Sequence, residues 1–342
     1  MIKPGMDNLG QQLAEMYKAA CMQELQALKP GNVHIFADGH GMVMQDFVTS
    51  AEASAKYIAV AHLSLGQRIL CSVQATHSAI GTNTNLGIIL LCAPLIQAAF
   101  LAHNKLNVES TLAFVAKDSE ENTGKHASEC TSKIASDHAY EHASAKKRLV
   151  IFTIAMYKNY LHHVLNQTTI ADANDTFTAI RLMSPSGLGH SERHDVYQSA
   201  DCDLQMAMQF AAQHDLIAKQ YAHYFADIFK SIHIYNMVFQ QFNNSAWSTS
   251  ALYLSLLAEH IDSHIVKKNG LTSALMVKQQ ANVHLTHFMQ LQNPKNYFKT
   301  LLDWDTQLKR DGINPGTTAD MTVASLFLGQ LFASNNFFKN VP

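Results

Sequence analysis

The stretch from Leu86 to His103 is apolar nearly all round. A helix without a polar face has to be enclosed by other elements, so it reads as the buried core helix of a larger helical assembly. Its longest apolar stretch, Leu86 to Leu101, is interrupted by Pro94 and Gln97 and reads as too short to span a bilayer. The rest of the chain supplies the enclosing elements. Leu13, Met16, Tyr17, Ala20, Cys21 and Leu25 recur at i, i+3, i+4 spacing and stop at Lys29-Pro30-Gly31. Helical patterns also run over 46–63, 69–80, 148–166, 204–232, 250–267, 274–291 and 321–332. Glycine (15) and proline (7) are scarce and alternating runs are few, so the expectation is all-α, a single compact multi-helix domain over 1–342.

Charged residues make up 15% of the chain and the formal net charge is −2, which offers no electrostatic footing for a nucleic-acid backbone. The N-terminal residues do not read as a signal peptide, and the five cysteines are scattered, without CxxC. They read as reduced thiols of a cytoplasmic, membrane-free protein. A 47% hydrophobic content allows a homodimer. Residues 117–147 begin with a polar run, continue rich in Ala, Ser, His and Lys, and read as a polar surface insertion. It contains His126, Cys130, His138 and His142, residue types that suit zinc. A segment so rich in histidine places such pairs without any metal, and the surface reading is preferred. GxxxxGK[ST], GxGxxG after a strand, GxSxG and HExxH do not occur.

Five polar loops separate the apolar windows: 29–34, 37–40, 81–87, 187–195 and 313–320. Each opens or closes a helix. Helix N-termini present free N–H groups and a positive dipole end, so a bundle that gathers these ends would make a polyphosphate site. Thr317 and Asp320 have capping-box spacing, and Asp320 either caps its helix or holds Mg²⁺ through water. Asn83 or Thr84 can cap the apolar helix, although two asparagines between two glycines exceed what a cap requires. The block Glu192-Arg193-His194-Asp195 is a solvated ion cluster or part of a site.

At these loops the chain resembles the triphosphoribosyl-dephospho-coenzyme A synthase family. The matching segments are Lys29-Pro30-Gly31, Gly39-His40-Gly41-Met42 through Asp46-Phe47 to Ser50-Ala51, Gly81 to Gly87, Gly187 to Asp195, Asp262-Ser263-His264 and Asn314 to Asp320, spread in order over 12–332. The resemblance implies an all-helical transferase that joins C1′ of the ATP ribose to the 2′-hydroxyl of 3′-dephospho-coenzyme A, releasing adenine. ATP is then a substrate, with Mg²⁺ on its intact triphosphate. Glu192, Asp46 and Asp320 become the catalytic carboxylates, Glu192 foremost, and Asp46, Asp262 and Asp320 candidates for Mg²⁺. Lys29, Gly31, His34, Asn83, Thr84, Asn85, Gly87, Arg193, His194, Asn314, Gly316 and Thr317 become ATP contacts. The chain departs from the family pattern in places. The family's Asn-Thr-His-Lys-Gly loop has Asn85 and Leu86 for its His and Lys, the first loop loses an acid at Gly41, and Asp-Thr-Asn becomes Asp262-Ser263-His264. These changes mark a divergent branch and leave two further readings open. One is a (phospho)ribosyl or nucleotide-dependent step on a C1-carrier cofactor precursor of pterin or furan type; the other is a non-catalytic nucleotide-binding scaffold.

Overall fold

Helix starts and stops follow local chemistry. Asp7 caps the first helix by accepting from the Gly10 N–H (2.7 Å), and Ser64 with Gln67 forms a capping box for the third, which ends at Gly81 in the left-handed region. The computed structural model describes residues 6–121, 154–183 and 191–333, with the side chains of 105–121 excepted. Within them lie α1 (Asn8–Leu25), α2 (Met44–Ile58), α3 (Leu65–Ile80), α4 (Leu86–Glu121), α5 (154–166), α6 (Ile170–Met183) and α7 (Leu204–Ala211). They continue with α8 (Leu216–Ala222), α9 (Ala226–Phe242), α10 (Ser245–Glu259), α11 (Ser263–Met289), α12 (Phe298–Arg310) and α13 (Gly316–Ala333). No strand occurs among the described residues, and the fold is all-α as the periodicity implies.

Two helices are buried almost all round, α13 and the first half of α4, and they pack on each other. Around them α1, α9 and α10 contact α13, and α3 packs on α4. A second apolar cluster joins α10, α11 and α12 through Tyr253, Leu257, Val277, Phe288, Leu301 and Trp304. The stretch Leu86–Asn104 is long and apolar enough to cross a membrane, contrary to the sequence expectation, but 83% of it is enclosed by the bundle. Pro94 removes one hydrogen bond inside α4 and so frees the Leu90 carbonyl. The buried Tyr221 hydroxyl donates to that carbonyl at 2.6 Å, which lets the proline sit in a core helix.

The structure redraws several sequence windows. The window 204–232 is three helices, because Asp215 caps a new one and Tyr224 and Phe225 take positive φ (52° and 62°). The window 250–267 breaks at Asp262, the N-cap of α11, and α11 itself kinks at Gly270 (φ 83°). Helices α6 and α12 lie outside every window. Of 117–147, the first residues close α4; 122–147, with the zinc-type residues His126, Cys130, His138 and His142, lie outside the described residues.

Candidate active site

Helix α1 carries a carboxylate on its buried face: Glu24 lies with Tyr17, Ala20, Cys21 and Leu25 beneath the surface. The chain then turns through Lys29, which is 0% exposed, and the Lys29 ammonium hydrogen-bonds to Glu24 and to Asn32 Oδ1 (2.9 Å). Asn32 in turn donates to Asn314 Oδ1 at 2.8 Å, tying this loop to the one before α13. Burial raises the Glu24 pKa and lowers that of Lys29, against the mutual attraction of the pair. Gly31 (φ 85°) donates its N–H to Asp305 Oδ1 at 2.8 Å, and a Cβ there would meet Pro315 Cδ at 2.8 Å. Asp305 also holds Lys309 (3.0 Å) and lies 3.3 Å from the buried His34 ring. The hydrogen bond to His34 and the Lys309 ammonium hold its carboxyl below the usual range despite burial.

One carboxylate caps two helices. Asp262 Oδ1 accepts from the His264 and Ile265 N–H groups at the start of α11, while Oδ2 accepts from Thr318 N–H and Thr318 Oγ1, both at 2.8 Å. Thr317 Oγ1 pairs with Ser263 Oγ (3.1 Å) across the same junction. The capping-box reading of Thr317 and Asp320 is therefore corrected: α13 is capped by Asp262 from outside, and Asp320 lies past its first turn. No hydrogen bond reaches the Asp320 carboxylate among the described residues. It faces the first turn of α4, where a Cβ on Gly87 would come within 2.0 Å of Asp320 Oδ2. Only glycine admits so close an approach of carboxylate to backbone. Burial raises the Asp320 pKa well above normal, and the charges of Asp262, Glu24 and Asp215 add to the rise. The N-termini of α4, α11 and α13 thus meet around one open acid.

The crevice beside this acid is lined by Cys21, Glu24, Phe47, Ala51, Asn85 and Ile88. Asn85 is buried; its Nδ2 donates to Ser54 Oγ (3.2 Å) and the Ser50 carbonyl (3.3 Å), and its Oδ1 has no partner. Thr84 is buried against the Ser50 hydroxyl. Asn83 caps α4 through the Leu86 N–H (3.2 Å). Leu86, at the position of the family's lysine, is itself buried. Asp46 lies one turn before Ser50 on α2 and accepts from the Val43 N–H (2.9 Å). Gly316 begins α13 beneath the His264 ring, whose buried Nε2 has no partner and whose pKa burial and Lys267, Lys268 and His40 push down to about 4.

The loop with Glu192, Arg193 and His194 is anchored elsewhere. Arg181 of α6 reaches the Val196 carbonyl, Asn174 Oδ1 of α6 accepts from the Ala200 N–H (2.9 Å), and the His194 ring stands against Phe210 of α7. Glu192 and Arg193 are exposed there. Sequence reasoning missed Glu24, Asp215 and Asp305. Glu24 and Asp305 each sit on the apolar stripe of an amphipathic helix, which is a readable signal: a carboxylate where a core residue is due.

A helical bundle whose polar loops gather helix N-termini around a partly buried acid is a class of protein apart from the α/β nucleotide-binding folds. The family profile described as CitG, ATP:dephospho-CoA triphosphoribosyl transferase, matches residues 10–337. The chain belongs to this family of transferases. A crystal structure from Archaeoglobus fulgidus, assigned as a triphosphoribosyl-dephospho-coA synthase, is similar in fold: TM-score 0.56, 19% identity, 84% of this chain and 98% of that one covered. No curated protein matches in sequence.

Proposed function

We propose that the protein transfers the triphosphoribosyl group of ATP to the 2′-hydroxyl of 3′-dephospho-coenzyme A and releases adenine. Family membership supports the reaction class. The observation that carries the site is Asp320, a carboxylate without a hydrogen bond among the described residues, set where the N-termini of α4, α11 and α13 meet. Those N-termini favour the triphosphate, which stays intact, so positioning and charge complementarity suffice for it. At C1′ the departure of adenine leaves an oxocarbenium-like centre. Asp320 stabilises that charge and takes the proton of the incoming hydroxyl, a task favoured by a pKa raised above the ordinary carboxylate range. ATP enters as its Mg²⁺ complex. Asp320, and Asp46 with one oxygen unbonded, can add a ligand to that ion; Asp262, with four donors on two oxygens, cannot. Asn85 Oδ1 is an open acceptor for a substrate hydroxyl, Lys29 and Asn32 hold the loop, and Glu192 is the second carboxylate to test.

Chromatography of ATP and Mg²⁺ incubated with the protein decides the reading. Adenine appearing only when 3′-dephospho-coenzyme A is present, with the mass of the joined product, is the expected result. Adenine released only with a pterin- or furan-type precursor would move the acceptor to C1-carrier assembly. Tight ATP binding with no adenine from any acceptor would leave a scaffold. Gly87→Ala gives a second check. Its methyl would displace the Asp320 carboxylate by about 1 Å, and adenine release is expected to fall about 100-fold.

A further inference from the structure

We propose that His194, Asp201 and Cys202, on the loop between α6 and α7, bind one divalent cation of the Zn²⁺ class. His194 Nδ1 lies 2.6 Å from Asp201 Oδ1 and 3.2 Å from Cys202 Sγ, and all three donor atoms fall within 4.8 Å of one another. Nitrogen, oxygen and sulfur together are the ligand set of a borderline-soft cation. The backbone and packing aim these atoms. His194 takes φ 52°, and its ring stands edge-on to Phe210 (5.3 Å, 89°) with Nδ1 turned to the two partners. One imidazole nitrogen offers a single proton or lone pair, yet two groups converge on it. A cation at that point would meet three lone pairs at once.

The position is open on one side. Cys202 is buried, His194 partly so and Asp201 exposed, which leaves room for water as a fourth ligand. Asp203 is engaged as the cap of α7 through the Met206 N–H (2.8 Å). The other comparable group among the described residues, Asp227, Glu259 and His260, differs in kind. Lys219 lies 3.8 Å from Asp227, Lys230 pairs with Glu259 at 2.5 Å, and Lys278 reaches the Glu259 carbonyl at 3.0 Å. Those ammonium groups take the place a metal would need.

Binding expels one proton. The His194 ring nitrogen and the Asp201 carboxylate donate lone pairs, and the Cys202 thiol gives up its hydrogen to solvent as the metal–thiolate bond forms. The bound ion would fix residues 194–202 and, with them, the exposed Glu192 two residues before His194.

The test uses the full chain stripped with a chelator and titrated with Co²⁺. One equivalent bound, with a thiolate-to-cobalt charge-transfer band and release of one proton, is expected, and Zn²⁺ should displace it. Cys202→Ser should remove the band and His194→Ala should weaken binding about 100-fold, both with metal-free melting temperatures within a few degrees of the parent. Cys130→Ser should leave the band intact. Absence of saturable binding, or a band that survives Cys202→Ser and disappears in Cys130→Ser, would overturn the proposal.

Discussion

Asp320→Asn should nearly abolish adenine release and raise the melting temperature at the same time. The activity side follows from its place: the carboxylate at the meeting of three helix N-termini, held against Gly87, is the charge proposed to face C1′. Losing one positioned charge of this kind costs about 10²–10³ in rate. The stability side follows from the same surroundings. Glu24, Asp262 and Asp215 disfavour a fourth charge, and burial disfavours it further. A carboxyl whose pKa is raised on folding costs stability as pH climbs from its unfolded value, about 3.9. Asparagine removes that cost. The gain should be absent below about pH 4 and grow as pH rises above it, read as a melting temperature higher than the parent's at pH 7.5. Thermal scans at pH 4 and pH 7.5 beside the adenine assay check both halves. Full activity in the variant would remove Asp320 from the chemistry, and a lower melting temperature would show that its charge is compensated. Such a trade between stability and activity is what a site that gathers acids to act on a substrate should display.

What the sequence made legible was the pattern of burial; what it concealed was where that pattern is cut. Period 3.6 ran unbroken through 204–232 and 250–267, yet the chain breaks at Asp215 and at Asp262. Both breaks are aspartates that cap a new helix, and both lie at the site. Periodicity counts apolar faces and is blind to a cap inside an apolar run, although Asp215 and Asp262 followed by an apolar pattern are start signals in their own right. Helix α12 shows the reverse case: Leu301, Trp304, Asp305 and Leu308 keep the period, and the charged residues around them hid it. Of the five polar loops, those at 29–34, 81–87 and 313–320 do come together, through Asn32 and Asn314 and through Gly87 and Asp320. The loop at 187–195 is different. Its family-like motif pointed to the same site, but its described end packs on α7 through His194 and Phe210 and leads into a segment bound to α6. Spacing along a chain says nothing of which helix ends share a corner of a bundle. Packing of α4 against α13 decides that here.

Lys29→Met should cost about 3–5 kcal/mol, the largest single effect on stability expected in this molecule. The lysine is wholly enclosed, and its ammonium faces Glu24 and Asn32. Methionine fills the space but leaves Glu24 as a buried charge without its cation and Asn32 Oδ1 without a donor. The pair itself is a different matter. Burial raises the pKa of Glu24 and lowers that of Lys29, so for each group desolvation outweighs attraction. The double replacement Glu24→Met with Lys29→Met should therefore recover most of the loss and reach within about 1 kcal/mol of the parent, or exceed it. Denaturant melts of the parent, the two single variants and the double variant complete the cycle, and a coupling energy of several kcal/mol is expected. Singles and double equally destabilised would mean that the pair contributes through packing alone. Adenine release then separates structure from function. If the pair serves only to hold the loop, the stable double variant stays active; if Glu24 contributes its charge to the site beside Asp320, the double variant folds and is inactive. The second outcome is expected. The lysine and glutamate stand in a place where two apolar residues would serve stability about as well, and the charge of Glu24 raises the pKa of the acid proposed to face the substrate.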